Sequence, residues 1–315
     1  MRHGLLLYNP AAGRLSVRLF VRDLARFLSS AGWKVEAAET LNGSHATQTA
    51  RQAAAEGYEA VFAIGGDGTA GQVTSGLLGS ETALAVLPAG TTNVWAREQG
   101  MQPLAWHRWW ALKENAGLLA KSTAQRVDVG LCNGLPFLLW AGIGLDAMTI
   151  HRLEPRRRLI KYLTLPHWVA TTVWEATFWN GLDLHVSADG EDVDGHFLLA
   201  VATNVRHYAG GMTLLSPAAM LDDGQMDLWL FSGKNLADAF RHFFGMLAGR
   251  HLSSEQARCL PFGSARIESE VPFSLQMDAE PMLGGTRAEL AVRPRALKVL
   301  MPHGALELLR HPNLP

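Results

Sequence analysis

The sequence predicts an α/β N-terminal domain with a parallel sheet, followed by a β-rich, mainly antiparallel C-terminal domain. The chain has 315 residues, enough for two domains of about 150 residues each. Apolar residues make up 48% and charged residues 18%, which supports a sizeable core and argues against disorder. Strand and helix patterns alternate along the first part of the chain and give way to strand patterns near Arg126.

The first domain is predicted from alternating strand and helix signals. Short apolar runs predict buried strands at 5–8, 33–39, 58–64 and 83–87. Apolar residues at helical spacing predict a first helix along 17–28, with Gly32 as its stop. Ser44 is predicted to cap a second helix that runs to about Glu56. Strand, loop and helix repeat in this order, which is typical of parallel strands with helices on both faces.

The second domain is predicted from short or alternating apolar runs that Pro, Gly and Asp turns separate. These runs cover 127–131, 136–141, 182–188, 197–203, 226–231, 265–268, 273–277 and 288–292. Two helical insertions are predicted, along 159–179 and 236–247. The predicted domains are 1–126 and 127–302, with a tail at 303–315 that packs back on the first domain.

Composition and charge exclude several classes of function. With 28 Lys+Arg against 29 Asp+Glu, the net charge of -1 gives no field to attract nucleic acid, and no nucleic-acid partner is expected. Neither Cys132 nor Cys259 lies in a CxxC pair, and the histidines lack metal-ligand spacing. The apolar run before Asn9 is too short for a signal peptide, and no stretch reaches ~18 uninterrupted apolar residues. A cytoplasmic protein is therefore expected, while oligomeric state is left open.

The most informative segment is Gly65-Gly66-Asp67-Gly68-Thr69, where a predicted strand runs into a predicted helix. Glycines let backbone N–H groups converge on an anion, and the helix N-terminus adds a partial positive charge. The spacing formally satisfies the dinucleotide pattern G-x-G-x-x-G, but a carboxylate would point at the pyrophosphate and the next strand ends without the acid that holds a ribose. No Walker pattern occurs. Asp67 is better explained if it meets Mg²⁺ or positions a phosphoryl group.

Six segments of the chain together carry a resemblance to a known family: residues 9–13 (NPAAG), 65–69 (GGDGT), 87–93 (LPAGTTN), 141–147 (AGIGLDA), 221–227 (LDDGQMD) and 276–280 (QMDAE). They resemble the diacylglycerol kinase catalytic-domain family, which includes bacterial lipid kinases and sphingosine and ceramide kinases and is distantly related to NAD kinases. In this order they span almost the whole chain. The resemblance implies a diacylglycerol kinase-like and NAD kinase-like fold. It also implies a kinase that uses ATP and Mg²⁺ to phosphorylate the hydroxyl of a lipid such as diacylglycerol.

The resemblance further implies roles for individual residues. Those implied to lie at the nucleotide are Asn9, Gly13, Thr40, Gly65, Gly66, Asp67, Gly68, Thr69, Gly71, Thr91 and Asn93. Asp223 would bind a structural Mg²⁺ with the backbone carbonyls of Met220 and Gln225. Glu280 would be the general base that takes the proton from the lipid hydroxyl. From the residues alone, Asp278 and Glu280 are expected on one face of a strand, either as carboxylates that tune each other or as a solvated edge.

The sequence departs from the family pattern in three places. Gly71-Gln72 stands where the family usually has Asn-Glu, and this removes a carboxylate from the mouth of the helix. Val94 replaces an Asp that many bacterial members carry. Ala279 replaces a glycine, and a positive φ at this position would cost about 1 kcal/mol. These changes leave open how the active Mg²⁺ is held and which lipid is phosphorylated.

Tryptophans and basic residues suggest a peripheral membrane contact. The tryptophans are Trp95, Trp106, Trp109 and Trp110, then Trp168, Trp174 and Trp179. The second group lies beside Arg156, Arg157, Arg158, Lys161 and Tyr162. Cationic residues with amphipathic aromatics suit a contact at headgroup level, while interior packing of this insertion is the alternative.

The sequence therefore favours a lipid kinase over two alternatives. An NAD kinase-like enzyme would share the Gly-Gly-Asp-Gly-Thr loop, but segments 87–91 and 278–280 are features of lipid kinases. A non-catalytic lipid- or nucleotide-binding regulator is favoured only by Gln72, Val94 and Ala279. No residue selects among diacylglycerol, phosphatidylglycerol, sphingoid bases and undecaprenol-type alcohols.

Overall fold

The computed structural model describes residues 2–153 and 164–313, with side chains from residue 170 onward after the gap. Contacts divide the chain into two compact units. Unit 1 is Met1–Val129, Met220–Asp223 and Pro294–Pro315, and unit 2 is Gly130–Ala219 and Gly224–Arg293. The insertion predicted to touch a membrane, Arg156 to Tyr162 with Trp168, lies outside the side chains that are described. In the described ranges, no helix is both long and apolar enough to cross a bilayer.

The first part of the chain alternates strands and helices, as predicted. Its strands are β1 (Arg2–Tyr8), β2 (Trp33–Glu39), β3 (Ala60–Gly65), β4 (Ala83–Pro88) and β5 (Thr123–Cys132). Its helices are α1 (Arg18–Ser30), α2 (Gly43–Ala55), α3 (Asp67–Leu77), α4 (Val94–Glu98) and α5 (Ala111–Ala120). Every residue of β3 and β4 is buried, which is typical of parallel strands that helices cover on both faces.

The strands of unit 1 pair in the order β4, β3, β1, β2, and each of these pairs is parallel. The carboxyl ends of the strands therefore meet at one edge, where sheets of this kind bind their ligands. The strand pairing of the whole chain is nevertheless mixed, because the pairs of unit 2 are antiparallel.

Helices α2 and α3 pack closely because a glycine lies between them. A Cβ added at Gly76 would come within 2.4 Å of the Thr47 carbonyl oxygen and 2.7 Å of the Ala50 Cβ. The prediction that Ser44 caps α2 is wrong. The cap is Asn42, whose backbone is extended and whose side-chain oxygen accepts the His45 N–H at 2.9 Å.

Unit 2 is rich in strands, and its described residues form three α-helices between them. The strands are β6 (Leu135–Phe137), β7 (Trp140–Gly144), β8 (Leu182–Ala188), β9 (Glu191–Thr203), β10 (His207–Tyr208), β11 (Thr213–Leu214), β12 (Met226–Ser232), β13 (Ala257–Phe262), β14 (Ser264–Met277) and β15 (Glu280–Met301). The helices are α6 (Leu145–Leu153), α7 (Thr164–Phe178) and α8 (Leu236–Leu247). β9 pairs antiparallel with β7, β8 and β12, and β14 pairs antiparallel with β7, β8 and β15.

Several elements of unit 2 differ from prediction. β13 was missed because Pro261 interrupts its apolar pattern; the strand pairs with β12, and an edge position tolerates proline. The runs at 265–268 and 273–277 are two parts of β14, joined across a register shift. Helix α6 was also missed, since it follows β7 without an intervening loop.

Unit 1 also takes in the last strand segment and the tail. Residues 294–301 had been predicted in the second domain, but Val299 pairs in parallel with Leu84 of β4. The Asp222 carboxylate accepts the N–H groups of Arg310 and His311 at 2.5 and 2.8 Å. These backbone hydrogen bonds hold the tail on unit 1.

Gly76→Ala should destabilise the protein by about 1–3 kcal/mol, because the new methyl group would collide with the α2 backbone. Gly245→Ala in α8 is the matched control. No atom lies within 4 Å of a Cβ there, so the change should be neutral or stabilise by about 0.5–1 kcal/mol. Urea unfolding measures both, and equal shifts of the two midpoints would contradict the close α2–α3 packing.

Candidate active site

Three loops come together at the carboxyl edge of unit 1, following β1, β3 and β4. The Asn9 side-chain amide donates to the Thr69 hydroxyl at 3.2 Å, while its oxygen accepts the Ala11 N–H at 2.9 Å. The Gly65 carbonyl accepts the N–H groups of Ala89 and Gly90 at 2.8 and 3.1 Å. Hydrogen bonds thus join the first loop to the second and the second to the third.

Close backbone contacts explain the glycines of these loops. A Cβ at Gly90 would lie 2.4 Å from the Gly66 Cα, and a Cβ at Gly13 would lie 2.0 Å from the Ala89 carbonyl oxygen. Gly13 also has a φ of +60°, a conformation that favours glycine. Side chains at these positions would push the loops apart and fill the space between them.

The N-terminus of α3 lies in the middle of this arrangement. Gly66 is its cap residue, so the N–H groups of Asp67, Gly68 and Thr69 have no acceptor within the helix. Such donors, together with the positive end of the helix dipole, favour an anion. The chemistry of this donor set fits the phosphates of a nucleotide.

The Asp67 carboxylate is engaged by the third loop. It accepts hydrogen bonds from the Thr92 hydroxyl at 2.9 Å and from the backbone N–H of Trp95 at 3.1 Å. Burial raises the pKa of Asp67, and hydrogen bonds from the Val94 N–H and the Thr92 hydroxyl oppose this rise. The sequence predicted that Asp67 organises metal or phosphate. In the structure its carboxylate holds residues 92–95 against the start of α3.

The third loop is also held by Asn93. Its φ is +52°, in the left-handed region, and its side chain accepts the Gly90 N–H at 2.7 Å and donates to the Gly90 carbonyl at 2.8 Å. Asn93 is buried, so its part is to shape the loop backbone. Thr91, by contrast, is exposed on this loop.

The remaining predicted nucleotide residues lie near the same edge. Thr40 follows β2, is buried, and donates its N–H to the Tyr8 carbonyl at 2.9 Å. Gly71 lies in α3, and its carbonyl accepts the Ser75 hydroxyl at 3.0 Å. Gln72, which replaces the expected Glu, accepts the Thr47 hydroxyl through its backbone carbonyl at 2.8 Å.

In unit 2, Asp278 and Ala279 form the two-residue turn between β14 and β15. Their φ values are +49° and +63°, and Met277 pairs with Glu280 across the turn. Positive φ at both central residues defines the type I′ hairpin turn, which strongly prefers glycine at the second. Ala279 therefore has the positive φ at which an alanine costs about 1 kcal/mol relative to glycine.

The expectation that Asp278 and Glu280 share one face of a strand is wrong, because the turn separates them. The buried Asp278 carboxylate accepts three backbone N–H groups, from Leu138 at 2.8 Å, Leu139 at 2.7 Å and Trp140 at 3.2 Å. Asp278 therefore anchors the turn to the start of β7. Glu280 is exposed at the first position of β15.

A buried polar chain continues from this turn. Gln276 is completely buried; its oxygen accepts the Ala279 N–H at 2.9 Å, and its amide donates to Asp146 at 2.7 Å. The Tyr208 hydroxyl also donates to Asp146. Burial raises the pKa of Asp146 to about 6, although both hydrogen bonds favour the carboxylate.

Asp146 and Tyr208 lie in the wall of an apolar cavity in unit 2. The cavity lies between α6, α7 and α8 and is partly open to solvent. Apolar lining residues include Leu145, Val173, Leu199, Phe240, Phe243 and Met246. The lining residue His242 contacts the Ser232 carbonyl at 2.6 Å, and burial lowers its pKa, which favours an uncharged ring. The polar chain from Gln276 thus connects the cavity wall to the turn before Glu280.

The carboxylate of the implied structural Mg²⁺ site pairs with a basic side chain. The Asp223 carboxylate lies 3.1 Å from the Arg310 guanidinium, which already supplies a positive charge. Among the described residues, no group of three His, Cys, Asp or Glu side chains could hold a metal ion, but the implied site is of another kind, with one carboxylate and two backbone carbonyls. Met220 belongs to unit 1 with Asp223, and Gln225 to unit 2. The structural Mg²⁺ site stays a prediction.

Sequence reasoning missed Thr92, Gln276 and Tyr208 as site residues. Thr92 lies inside the quoted segment 87–93, so its hydroxyl two residues after a loop glycine was a usable signal. Gln276 also opens a quoted segment. Tyr208 carries no local signal, because only the fold brings it to Asp146.

Two family models match the chain. The diacylglycerol kinase catalytic domain matches residues 3–132, and the YegS C-terminal NAD kinase beta sandwich-like domain matches residues 141–301. Among relatives, a diacylglycerol kinase of Bacillus subtilis is 28% identical over 317 residues, covering 98% of this chain and 99% of its own. A probable YegS-like lipid kinase of Pseudomonas aeruginosa is 30% identical over 314 residues, covering 98% and 96%.

Solved structures show the same fold. A putative diacylglycerol kinase from Bacillus anthracis superposes with a TM-score of 0.77 at 22% identity, over 96% of this chain and 98% of the other. An NAD kinase from Archaeoglobus fulgidus in complex with ATP superposes with a TM-score of 0.54 at 10% identity, over 98% and 96%. At these identities the likeness concerns the fold alone.

Ala279→Gly should stabilise the protein by about 1 kcal/mol, since glycine adopts the left-handed turn without strain. Ala291→Gly, in β15 but outside the turn, is the control and should destabilise by about 0.5–1 kcal/mol through added chain entropy. Thermal unfolding distinguishes the two variants. Loss of stability in both would contradict the turn geometry.

Asp146→Asn should change how stability depends on pH. The folded-state pKa of Asp146, about 6, lies above its ordinary value of 3.8, so the folded protein binds a proton there that the unfolded chain has released. This group therefore makes stability fall as pH rises from about 4 to 6, by up to about 3 kcal/mol. Urea unfolding along this pH range should show a flatter profile for the variant. Parallel profiles would refute the raised pKa.

Proposed function

Since the chain belongs to the diacylglycerol kinase catalytic-domain family of lipid kinases, we propose that it transfers the terminal phosphoryl group of ATP to the hydroxyl of a lipid such as diacylglycerol. Family membership confirms the resemblance that six sequence segments indicated. The observation that carries the proposal is the convergence of three loops, through glycine contacts, around the N-terminus of α3.

The first half of the proposal concerns the nucleotide. The backbone N–H groups of residues 67–69 would hold its phosphates, and the glycines at 66 and 90 let the second and third loops approach each other at this end of α3. Asp67 acts as a positioning residue, because it fixes the third loop through Thr92 and Trp95. Mg²⁺ that arrives with ATP would neutralise charge on the transferred group, since this ion is commonly bound by substrate phosphates and few protein ligands.

The second half concerns the lipid. The cavity between α6, α7 and α8 offers apolar walls for alkyl chains, with Asp146 and Tyr208 as its polar groups. Its lining supports a lipid acceptor over NAD⁺, whose sugar and phosphate groups need polar partners. The NAD kinase from Archaeoglobus fulgidus has a similar fold, but this similarity does not indicate which substrate the present chain uses.

Glu280 is proposed as the general base. It is exposed at the start of β15, directly after a turn that Asp278 fixes with three hydrogen bonds. A carboxylate held by a rigid turn loses little freedom when it accepts the proton of an incoming hydroxyl. Gln276 supports the same turn through the Ala279 N–H.

A non-catalytic regulator is the second candidate, favoured by two observations. Val94 is buried where many bacterial members carry an Asp, and Gln72 removes a carboxylate from α3.

An assay with labelled ATP separates the candidate functions. The acceptors to be tested are diacylglycerol, a sphingoid base, NAD⁺ and a total lipid extract. Transfer of the labelled phosphoryl group to a lipid supports the lipid kinase, and transfer to NAD⁺ supports an NAD kinase-like enzyme. Lipid binding without any phosphoryl transfer supports the non-catalytic regulator.

Glu280→Ala should lower turnover on diacylglycerol by roughly 10²–10⁴-fold, because the lipid hydroxyl that attacks the phosphoryl group loses its proton acceptor. ATP binding, measured by calorimetry, should stay unchanged. Glu280→Gln should be equally impaired, since the amide cannot accept the proton. Glu270→Gln, an exposed carboxylate of β14, is the matched control and should keep full turnover. Near-normal turnover of either Glu280 variant would overturn the assignment.

A further inference from the structure

Three large aromatic side chains of unit 1 are left in solvent. Trp106 is 80% exposed, Trp109 60% and Trp110 42%, and all three lie in residues 102–110, here called the tryptophan loop. Trp95, which precedes them in the chain, is by contrast completely buried. Exposed apolar groups that cluster in this way mark an interaction surface more often than single exposed residues do.

The backbone of the loop keeps these rings outward. Arg108 donates its N–H to the Ala105 carbonyl at 2.9 Å, which closes a tight turn, and α5 begins directly afterward at Ala111. The aromatic rings pair with immediate neighbours: Trp106 lies edge-on to His107 at 5.4 Å, and Trp109 edge-on to Trp110 at 6.0 Å. The tryptophans therefore form a small aromatic surface outside the core.

The tryptophan loop itself carries only basic charge. Residues 102–110 contain Arg108 and His107 and no Asp or Glu, while Glu98 and Glu114 flank the loop. Lys113 is exposed in the first turn of α5, next to Glu114, and its ammonium lies 5.2 Å from the centre of the Phe27 ring. A basic and aromatic surface complements anionic lipid headgroups, because indole rings favour the headgroup level and cations favour an anionic surface.

The loop also lies at the edge of unit 1 that carries the proposed nucleotide site. Leu104 donates its N–H to the Pro88 carbonyl at 2.9 Å, and Pro88 ends β4 at the start of the third loop. A surface that held the tryptophan loop would therefore lie close to the loops that follow β1, β3 and β4.

We propose that the tryptophan loop inserts into the headgroup layer of a bilayer that contains anionic lipid. Trp106 and Trp109 are the anchors, and Arg108 and Lys113 supply attraction to the surface. The proposed function enters this inference only as the reason for the contact, which is access to a substrate in the bilayer. The contact itself needs no residue of the 156–162 segment.

Co-sedimentation of the full-length protein with vesicles tests the proposal without ATP or a lipid substrate. The vesicles are phosphatidylcholine alone, or phosphatidylcholine mixed with phosphatidylglycerol. Trp106→Ala/Trp109→Ala should weaken partitioning by about tenfold or more on mixed vesicles. Arg108→Gln/Lys113→Gln should reduce it about tenfold or more on mixed vesicles and leave it unchanged on phosphatidylcholine.

Leu19→Ala is the matched control, because Leu19 is an exposed apolar residue of unit 1 on α1, and it should keep wild-type partitioning. Equal partitioning of wild type and the tryptophan variant would overturn the proposal. So would a wild type that ignores mixed vesicles, or a tryptophan variant whose only defect is loss of self-association in sedimentation velocity.

A kinase assay separates this proposal from the proposed function. The tryptophan variant should lose turnover on diacylglycerol in vesicles and keep it on short-chain diacylglycerol in detergent micelles. If the wild-type protein phosphorylates diacylglycerol in neither form, the proposed function fails. Co-sedimentation with vesicles then still tests whether the tryptophan loop binds the bilayer. If both substrates are turned over equally by the variant and its partitioning is unchanged, the anchor fails and the kinase stands.

Discussion

The carboxyl edge of unit 1 depends on a backbone contact that only glycines can make. A Cβ at Gly90 would fall 2.4 Å from the Gly66 Cα, so any side chain there would separate the loops that follow β3 and β4. With the loops in contact, the Gly65 carbonyl can accept two N–H groups and the Asp67 carboxylate can reach Thr92 and Trp95. The result is a helix N-terminus surrounded by backbone, which suits an anion better than a surface of flexible side chains would.

In unit 2, buried polar side chains and not glycines fix the backbone around the turn between β14 and β15. Asp278 binds the backbone before β7, and Gln276 links the adjacent turn to Asp146 in the cavity wall. Buried polar groups of this kind are costly unless each finds a partner, and together they hold the backbone in one arrangement. The turn keeps an alanine at positive φ within this arrangement, so local strain is tolerated where the surrounding hydrogen bonds fix the conformation.

The tryptophans of the chain divide according to their environment rather than their sequence neighbours. Trp95 is completely buried, while Trp106 is mostly exposed eleven positions later along the same stretch of chain. A sequence pattern does not separate the two, since apolar and charged residues stand near both, Val94 and Arg97 near Trp95, and Ala105 and Arg108 near Trp106. The distinction belongs to the fold, in which the Leu104–Pro88 hydrogen bond joins the start of the tryptophan loop to the end of β4.

The sequence by itself determined the elements whose signals are local. Periodicity alone located α8 at Leu236–Leu247 and β8 at Leu182–Ala188, and the glycine segment marked the junction of β3 and α3. The family resemblance supplied the order of the site segments. Only the tertiary structure decided that Asp67 binds residues 92–95, that Asp278 and Glu280 are parted by a turn, and that Asp146 meets Tyr208. Each of these depends on strand register and loop contact between positions far apart in the chain, and no local propensity encodes such pairings.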